Sequence, residues 1–278
     1  MRTLIDHALA EDVGHGDLTT LAVVPEGSRA TARIVQREPG VVACLDVARE
    51  VFMTLDPALR WHEHVGEGLW RSREELDASP LVAEISGAAA PILTGERTAL
   101  NLLGRLSGVA TMTHRYVQAV EGTGVVILDT RKTTPGLRAL EKRAVKAGGG
   151  TNHRHGLYDA ILIKENHAML AGGVGPAVES ALASGHDVTI EVECRTLEEV
   201  PLALAAGAGR LLLDNMSLDQ LREAVEINAG KAQLEASGGI TLDTVRDVAE
   251  TGVDFISIGA LTHSAPALDL SLLVDVSE

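Results

Sequence analysis

Six short apolar runs, each followed by an amphipathic stretch, occupy the chain from about residue 125 onward, and they constrain its fold more than any other feature. They are Val125–Leu128, Ala160–Ile163, Val188–Val192, Leu211–Leu213, Ala232–Ala236 and Phe255–Ile258. Apolar strands alternating with helical stretches are the pattern of successive βα units on a parallel sheet, whose strands are covered on both faces. Helix start signals fall in the intervals. Thr134-Pro135 reads as an N-cap with proline in the first turn, and Thr196 with Glu199 and Ser217 with Gln220 have capping-box spacing.

The first 115 residues show no such alternation. An opening helix near Leu4–Ala10, β segments at Ala30–Gln36, Val41–Ala43 and Val82–Ser86, and a helix over Leu45–Leu55 predict a smaller α+β domain. A helical stretch from Thr94 to about Gly122, interrupted by Gly104 and Gly108, is expected to bridge the two parts. The expected division is therefore 1–115, an N-terminal α+β domain with its bridging helix, and 116–278, an α/β barrel. The extreme C-terminus is left free to return to the first domain.

Composition excludes several classes of function. Of 278 residues 45% are hydrophobic, enough for a sizeable core. Lys and Arg number 24 against 39 Asp and Glu, and a formal charge of −15 argues against nucleic-acid binding or attachment to an anionic membrane. Any anionic ligand must be held by a local cluster of cations. With 2% aromatic residues, stacking platforms are not expected. Two cysteines far apart, Cys44 and Cys194, fit a reducing compartment, and neither a signal peptide nor a membrane span is expected, so the protein reads as cytoplasmic.

In a (β/α) barrel the active site is built from the C-terminal strand ends and the loops that follow. All six strands end in residues that can do chemistry: Asp129-Thr130-Arg131-Lys132, Lys164, Glu193, Asp214-Asn215, Ser237-Gly238-Gly239 and Gly259-Ala260. From Arg131 to Lys164 there are eight Lys or Arg against two acids, within a chain of opposite net sign. Arg138, Lys142, Arg143 and Lys146 read as a solvated helix face, pairing with Glu141. Arg131, Lys132, His153, Arg154 and Lys164 remain as an anion clamp at strand ends and in a Gly-rich loop.

Glu191 and Glu193, two apart on a strand, share a face and need partners: Lys132, Lys164 or a bound Mg²⁺, with Asp214 on the next strand placed to share the ion or to grip ribose hydroxyls. A purely structural ion-pair network is the alternative for Glu191. Ser237-Gly238-Gly239 and Gly259-Ala260 each precede a helix, where free N–H groups can hold a phosphate. Arg97 falls in the first turn of the long helix, where the dipole disfavours a cation. It is either a surface arginine paired with Glu96 or a cation committed to a ligand. His153 and His155 have metal-ligand spacing, but Arg154 between them would repel a metal. A Schiff-base lyase using Lys132 or Lys164 is the competing chemistry.

Leu128-Asp-Thr-Arg-Lys-Thr-Thr-Pro-Gly-Leu-Arg and Gly148-Gly-Gly-Thr-Asn-His-Arg-His-Gly-Leu-Tyr-Asp-Ala-Ile-Leu-Ile-Lys-Glu-Asn-His167 closely resemble the quinolinate phosphoribosyltransferase family. Supporting matches run along the whole chain: Ala10–Thr20, Glu96–Asn101, Arg105–Gly108, Glu191-Val-Glu193, Leu213-Asp-Asn215, Ala236–Ile240 and Ile258–His263. Glu165 departs from the family's Asp before Asn-His. The resemblance implies an α/β fold, an incomplete (β/α) barrel preceded by and packed with a smaller N-terminal α+β sandwich-like domain, with a seventh, less obvious strand. It also implies joining of quinolinate to phosphoribosyl pyrophosphate with loss of carbon dioxide and pyrophosphate, Mg²⁺ as cofactor, and a homodimer or higher assembly with a shared active site.

By the same resemblance, Arg131, His153, Arg154 and Lys164, with Arg97 of a neighbouring subunit, grip the quinolinate carboxylates. Lys132 faces both substrates. Glu193 and Asp214 serve ribose and Mg²⁺, and Ser237, Gly238, Gly239, Gly259 and His263 hold the 5′-phosphate. Lys132, Lys164, Glu193 and Asp214 are the implied catalytic residues. A related group found beside molybdate transport systems shares the fold and part of the Arg-Lys motif; Lys164, Asn166 and His167 favour the quinolinate enzymes.

Overall fold

A computed structural model describes residues 1–276. The described chain divides into two compact units, one of residues 1–114, 135–149 and 265–276 and the other of residues 115–134 and 150–264. Each is built around its own sheet.

In the first unit the strands are β1 (Arg29–Gln36), β2 (Gly40–Val41), β3 (Arg60–Glu63), β4 (Trp70–Arg71) and β5 (Leu81–Ala88). β1 pairs antiparallel with β5, and β5 with β3. β1 alternates inward Ala30, Ala32 and Ile34 with outward residues, and these three are buried together with Ala83 and Ile85 of β5. The helix Leu45–Leu55 covers a core face with Val47, Ala48, Val51 and Phe52. Its limits are those read from the sequence.

The bridging helix differs from its expected form. It runs unbroken over Ala89–Ala119, starting directly where β5 ends. Arg97 therefore lies well beyond the first turn, and the dipole argument made for it does not apply. The two glycines are close-approach points rather than interruptions. A Cβ on Gly108 would lie 1.9 Å from the Pro266 carbonyl oxygen, and one on Gly104 3.1 Å from that of Leu268.

The second unit carries the alternation. Its strands are β6 (Val126–Leu128), β7 (Ile161–Ile163), β8 (Ile190–Cys194), β9 (Arg210–Asp214), β10 (Gln233–Ser237) and β11 (Phe255–Ser257). All pairings are parallel, in the order β6-β11-β10-β9-β8-β7. All six predicted strands are present, within a residue or two at each end. The sheet curls toward closure between β6 and β7 without completing it. There Thr151 forms a single parallel bridge to Leu128, donating to Ile127 at 2.9 Å while its carbonyl accepts from Asp129 at 3.2 Å. The implied seventh strand is thus reduced to one bridge, in a Gly148-Gly149-Gly150 approach too poor in side chains to form a ladder. The barrel is incomplete at that edge.

Two segments after residue 115 belong to the first unit. Residues 135–149, with the helix Arg138–Ala147, belong to the first unit, and Pro135 lies in a turn before that helix instead of capping it. The helix is not a solvated face either: Glu141 and Lys142 are fully buried, Arg105 pairs with Glu141 at 2.8 Å, and Arg143 pairs with Asp46. β12 (Leu270–Val276) pairs antiparallel with β1 in the first unit. Among the described residues no helix is long and apolar enough to cross a membrane.

Candidate active site

Period-two alternation decides which side chains enter the barrel. Glu191 and Glu193 on β8, Arg210, Leu212 and Asp214 on β9, and Glu235 and Ser237 on β10 share the inner face. The register sets Glu191 beside Arg210 and Ser237 beside Asp214. The upper level opens into a pocket of about 290 Å³ at the C-terminal strand ends. Arg131, Lys132, His153, Arg154 and Lys164 all line it, as do Asp214 and Ser237. Seven residues singled out in the sequence are thereby brought together.

The cations crowd one another. Burial, and then the charge of Arg131, hold the Arg154 guanidinium below its ordinary pKa. The loop that carries it is tied down at both ends. Asp129, fully buried, accepts from the His153 N–H at 2.8 Å, and Asp159 accepts from the N–H groups of His155 at 2.7 Å and Gly156 at 2.9 Å. Lys164 reaches Glu193 Oε2 at 2.7 Å, the partner that the buried Glu193 was expected to need. His153 and His155 are held by different partners, the ring of the first by Glu191 on β8 and the backbone N–H of the second by Asp159 in this loop.

At the ends of β9 and β10 the chain turns sharply. Asn215 has φ +56° and donates its amide to Asp214 at 2.8 Å, and its backbone N–H bonds the Ser237 carbonyl at 2.8 Å. Gly238, at φ +100°, leaves the space that a Cβ would take only 2.3 Å from the Asn215 side chain. A Cβ on Gly259 would meet both Lys132 Cδ and His263 Nε2 at 3.1 Å, so these two side chains converge over that glycine. The helix after Gly259 is a single turn, Ala260–His263, and the one after Gly239 begins only at Val245. Any anion here is met by a turn backbone and side chains, not by a long helix terminus.

Such a pocket, holding five cationic or imidazole side chains in a strongly acidic chain and flanked by glycine turns, suits a ligand with several carboxylates and phosphates. The family model for the quinolinate phosphoribosyl transferase C-terminal domain matches residues 109–273, and that for the N-terminal domain residues 17–107. The chain belongs to the quinolinate phosphoribosyltransferase family. It is 44% identical over 278 residues to the probable nicotinate-nucleotide pyrophosphorylase (carboxylating) of Bacillus subtilis, covering all of this chain and 94% of the relative. It is 43% identical to the nicotinate-nucleotide pyrophosphorylase (carboxylating) of Mycobacterium leprae, covering 98% and 96%. NadC from Streptococcus pyogenes superposes with a TM-score of 0.93 at 38% identity, covering 100% and 97%. The enzyme of Francisella tularensis gives 0.92 at 41%, covering 98% and 95%.

Of the residues that the family resemblance implies, Glu193, Gly238, Gly239, Gly259 and His263 do not line this pocket, nor does Arg97. It lies in the first unit, exposed, beside a shallow cavity shared with Asn101 and Asp269. It forms no ion pair with Glu96 or any other acid among the described residues. Glu193 is buried below Lys164. His263 is exposed, with Nδ1 2.6 Å from the Ser264 hydroxyl.

Sequence reasoning passed over Arg210 and Glu235, which form the floor below the pocket. Arg210 pairs with Glu235 and approaches Glu191 at 3.1 Å, while its guanidinium stacks 4.1 Å above the Phe255 ring. Glu191 Oε2 lies 2.9 Å from His153 Nε2. Burial and the charge on Glu191 push Glu235 up to about 7, with His153 and Arg210 opposing. Glu191, desolvated as well, is nonetheless held below the ordinary carboxylate range by its His153 hydrogen bond and Arg210. A signal was available: Glu235 is two residues before Ser237 and Arg210 four before Asp214, hence on the same strand faces.

Proposed function

We propose that this chain is a decarboxylating quinolinate phosphoribosyltransferase, forming nicotinate mononucleotide, carbon dioxide and pyrophosphate from quinolinate and phosphoribosyl pyrophosphate, a step of NAD biosynthesis. The observation that carries this reading is the convergence of Arg131, Lys132, Arg154 and Lys164 on one strand-end pocket, in the chain order and sequence context of the family. Two adjacent carboxylates on a flat ring suit paired guanidinium forks with an ammonium between them.

These residues hold the pyridine nitrogen facing the anomeric carbon, and confinement supplies much of the rate. As the C1–O bond to pyrophosphate breaks, the pyridine nitrogen bonds to C1; Lys132, extending over Gly259, neutralises charge on the departing oxygens. The ring is then cationic. Loss of carbon dioxide from C2 leaves its bonding pair on that carbon, where the positive nitrogen stabilises it until a solvent proton is added. No general base on the nucleophile is needed.

Mg²⁺ belongs to the same proposal. Asp214, partly exposed at the pocket and bonded through one oxygen to Asn215, and Glu193 on the adjacent strand are the hard oxygen donors that would hold the ion. When bound, it would supply charge neutralisation to the pyrophosphate. We also propose a cytoplasmic homodimer in which Arg97 of one copy completes the other's pocket. An exposed arginine free of ion pairs, and the exposed Leu157 and Tyr158 directly after the His153-Arg154-His155 run, support this reading.

Purified protein supplied with quinolinate, phosphoribosyl pyrophosphate and Mg²⁺ should yield nicotinate mononucleotide by chromatography, and nicotinate in place of quinolinate should not. Product from neither substrate, with the protein folded, would overturn the assignment.

A further inference from the structure

At the floor of the pocket, two carboxyl groups, one guanidinium and one imidazole come together from three strands and a loop, with Glu235 and His153 lining the pocket itself. Glu191, Glu235 and His153 come close enough to suggest a metal site, with one ligand atom from each within 4.8 Å of the others. Arg210 already supplies the cation: it pairs with both carboxylates, and a divalent ion would face its guanidinium. The cluster serves another purpose.

His153 shows what that purpose is. Its Nδ1 accepts the backbone N–H of Arg154 at 2.7 Å, so the ring proton resides on Nε2, which donates to Glu191 at 2.9 Å. With both nitrogens engaged in this sense, the ring links the Glu191 carboxylate to the backbone of Arg154. Its Nε2 also lies 3.6 Å from Glu235 Oε2. The groups facing Glu235 are Glu191 from β8, Arg210 from β9, His153 from the loop and the Ser257 hydroxyl from β11.

We propose that Glu191, Arg210 and Glu235 are positioning residues for the transfer reaction: a buried frame that, through His153, fixes the backbone of Arg154 and so, together with the Ala160 carbonyl that accepts from its guanidinium at 3.3 Å, sets where that guanidinium meets the dicarboxylate. This rests on the reading of the pocket as a quinolinate site. The neighbouring pins on the same loop, Asp129 and Asp159, leave Arg154 as the residue whose own N–H is held by the ring. Arg131, Lys132 and Lys164 approach from other strand ends and do not depend on it. Losing the frame should therefore blur one contact, to one substrate.

The test uses the full-length protein. In the wild type, ¹⁵N-resolved histidine spectra, assigned by loss of a signal in His153→Gln, should show His153 with Nε2 protonated and Nδ1 bare at neutral pH. An imidazolium or the opposite tautomer would overturn the proposal, and this readout needs no turnover. Glu191→Ala should raise the KM for quinolinate by about tenfold, the loss expected for one buried hydrogen bond, with the KM for phosphoribosyl pyrophosphate within about twofold. Glu191→Gln, whose amide oxygen can still accept from Nε2, should restore most of that loss. Equal changes in both KM values, or equal effects of Ala and Gln in folded protein, would refute the positioning role. If Glu191→Ala does not fold, the wild-type tautomer and the Glu191→Gln kinetics still decide. Absence of any turnover by the wild type with the expected tautomer present would instead count against the assigned substrate.

Discussion

The ammonium of Lys164 lies 2.7 Å from the carboxylate of Glu193, across the adjacent strand ends of β7 and β8. One partner is half-exposed at the pocket, and the other is buried beneath it. The buried carboxylate depends on this ammonium, so the chemical and structural roles of Lys164 separate only when both charges are removed. Lys164→Met should lower kcat/KM for quinolinate by about 100-fold and, by leaving the buried Glu193 carboxylate unpaired, cost about 2 kcal/mol of unfolding free energy. Adding Glu193→Gln should restore most of that stability and none of the activity. Steady-state kinetics beside urea denaturation check this, and full activity of a destabilised Lys164→Met would show the pair to be structural only.

Gly108→Ala gives a prediction whose sign is the test. In an ordinary helix interior the change should stabilise by up to about 1 kcal/mol. Here the new methyl would sit 1.9 Å from the Pro266 carbonyl oxygen, a backbone atom that cannot swing aside. The variant should lose about 3 kcal/mol, and Gly104→Ala, with 3.1 Å to the Leu268 carbonyl, distinctly less. Midpoints of chemical denaturation rank the two.

These glycines also show what was legible in the chain. Helical periodicity around Gly104 and Gly108 was plain, but their meaning depended on residues 266–268, more than 150 positions away. The same holds for β12, whose pairing with β1 is set by tertiary packing. By contrast, strands β6 to β11 and the strand-end cations could be read directly, because burial on both faces writes continuous apolar runs and the barrel places function where those runs stop. Arg210 and Glu235 escaped notice because a single charge at the start of a strand, or within one, shows no partner along the sequence. Only register across three strands makes them neighbours.

Cys44 and Cys194 should be silent toward thiol reagents in the native state. Both are buried, and burial pushes Cys44 up to about 11, with Arg143 partly opposing, and Cys194 up to about 12. The thiolate is the reactive form, so at pH 8 neither group is available to react. A chromogenic disulfide reagent should titrate no thiol in native protein and two per chain in denaturant. Rapid labelling of one cysteine in folded protein would contradict the buried placement.

Glu235 makes a last, sign-specific prediction. Its folded-state value of about 7 lies above the ordinary 4.5, so between these values the folded protein keeps a proton that the unfolded chain has released. Stability therefore falls as pH rises through that window, by roughly 3 kcal/mol if Glu235 acts alone. Glu191, held below the ordinary range, gives the opposite slope at more acidic pH, where its contribution is lost as pH falls. Glu235→Gln mimics the protonated carboxyl and keeps Arg210 balanced by Glu191, so the variant should fold and its stability between pH 4.5 and 7 should lose that decline. Urea midpoints at closely spaced pH values measure both slopes. An unchanged decline in the variant would assign it to other groups.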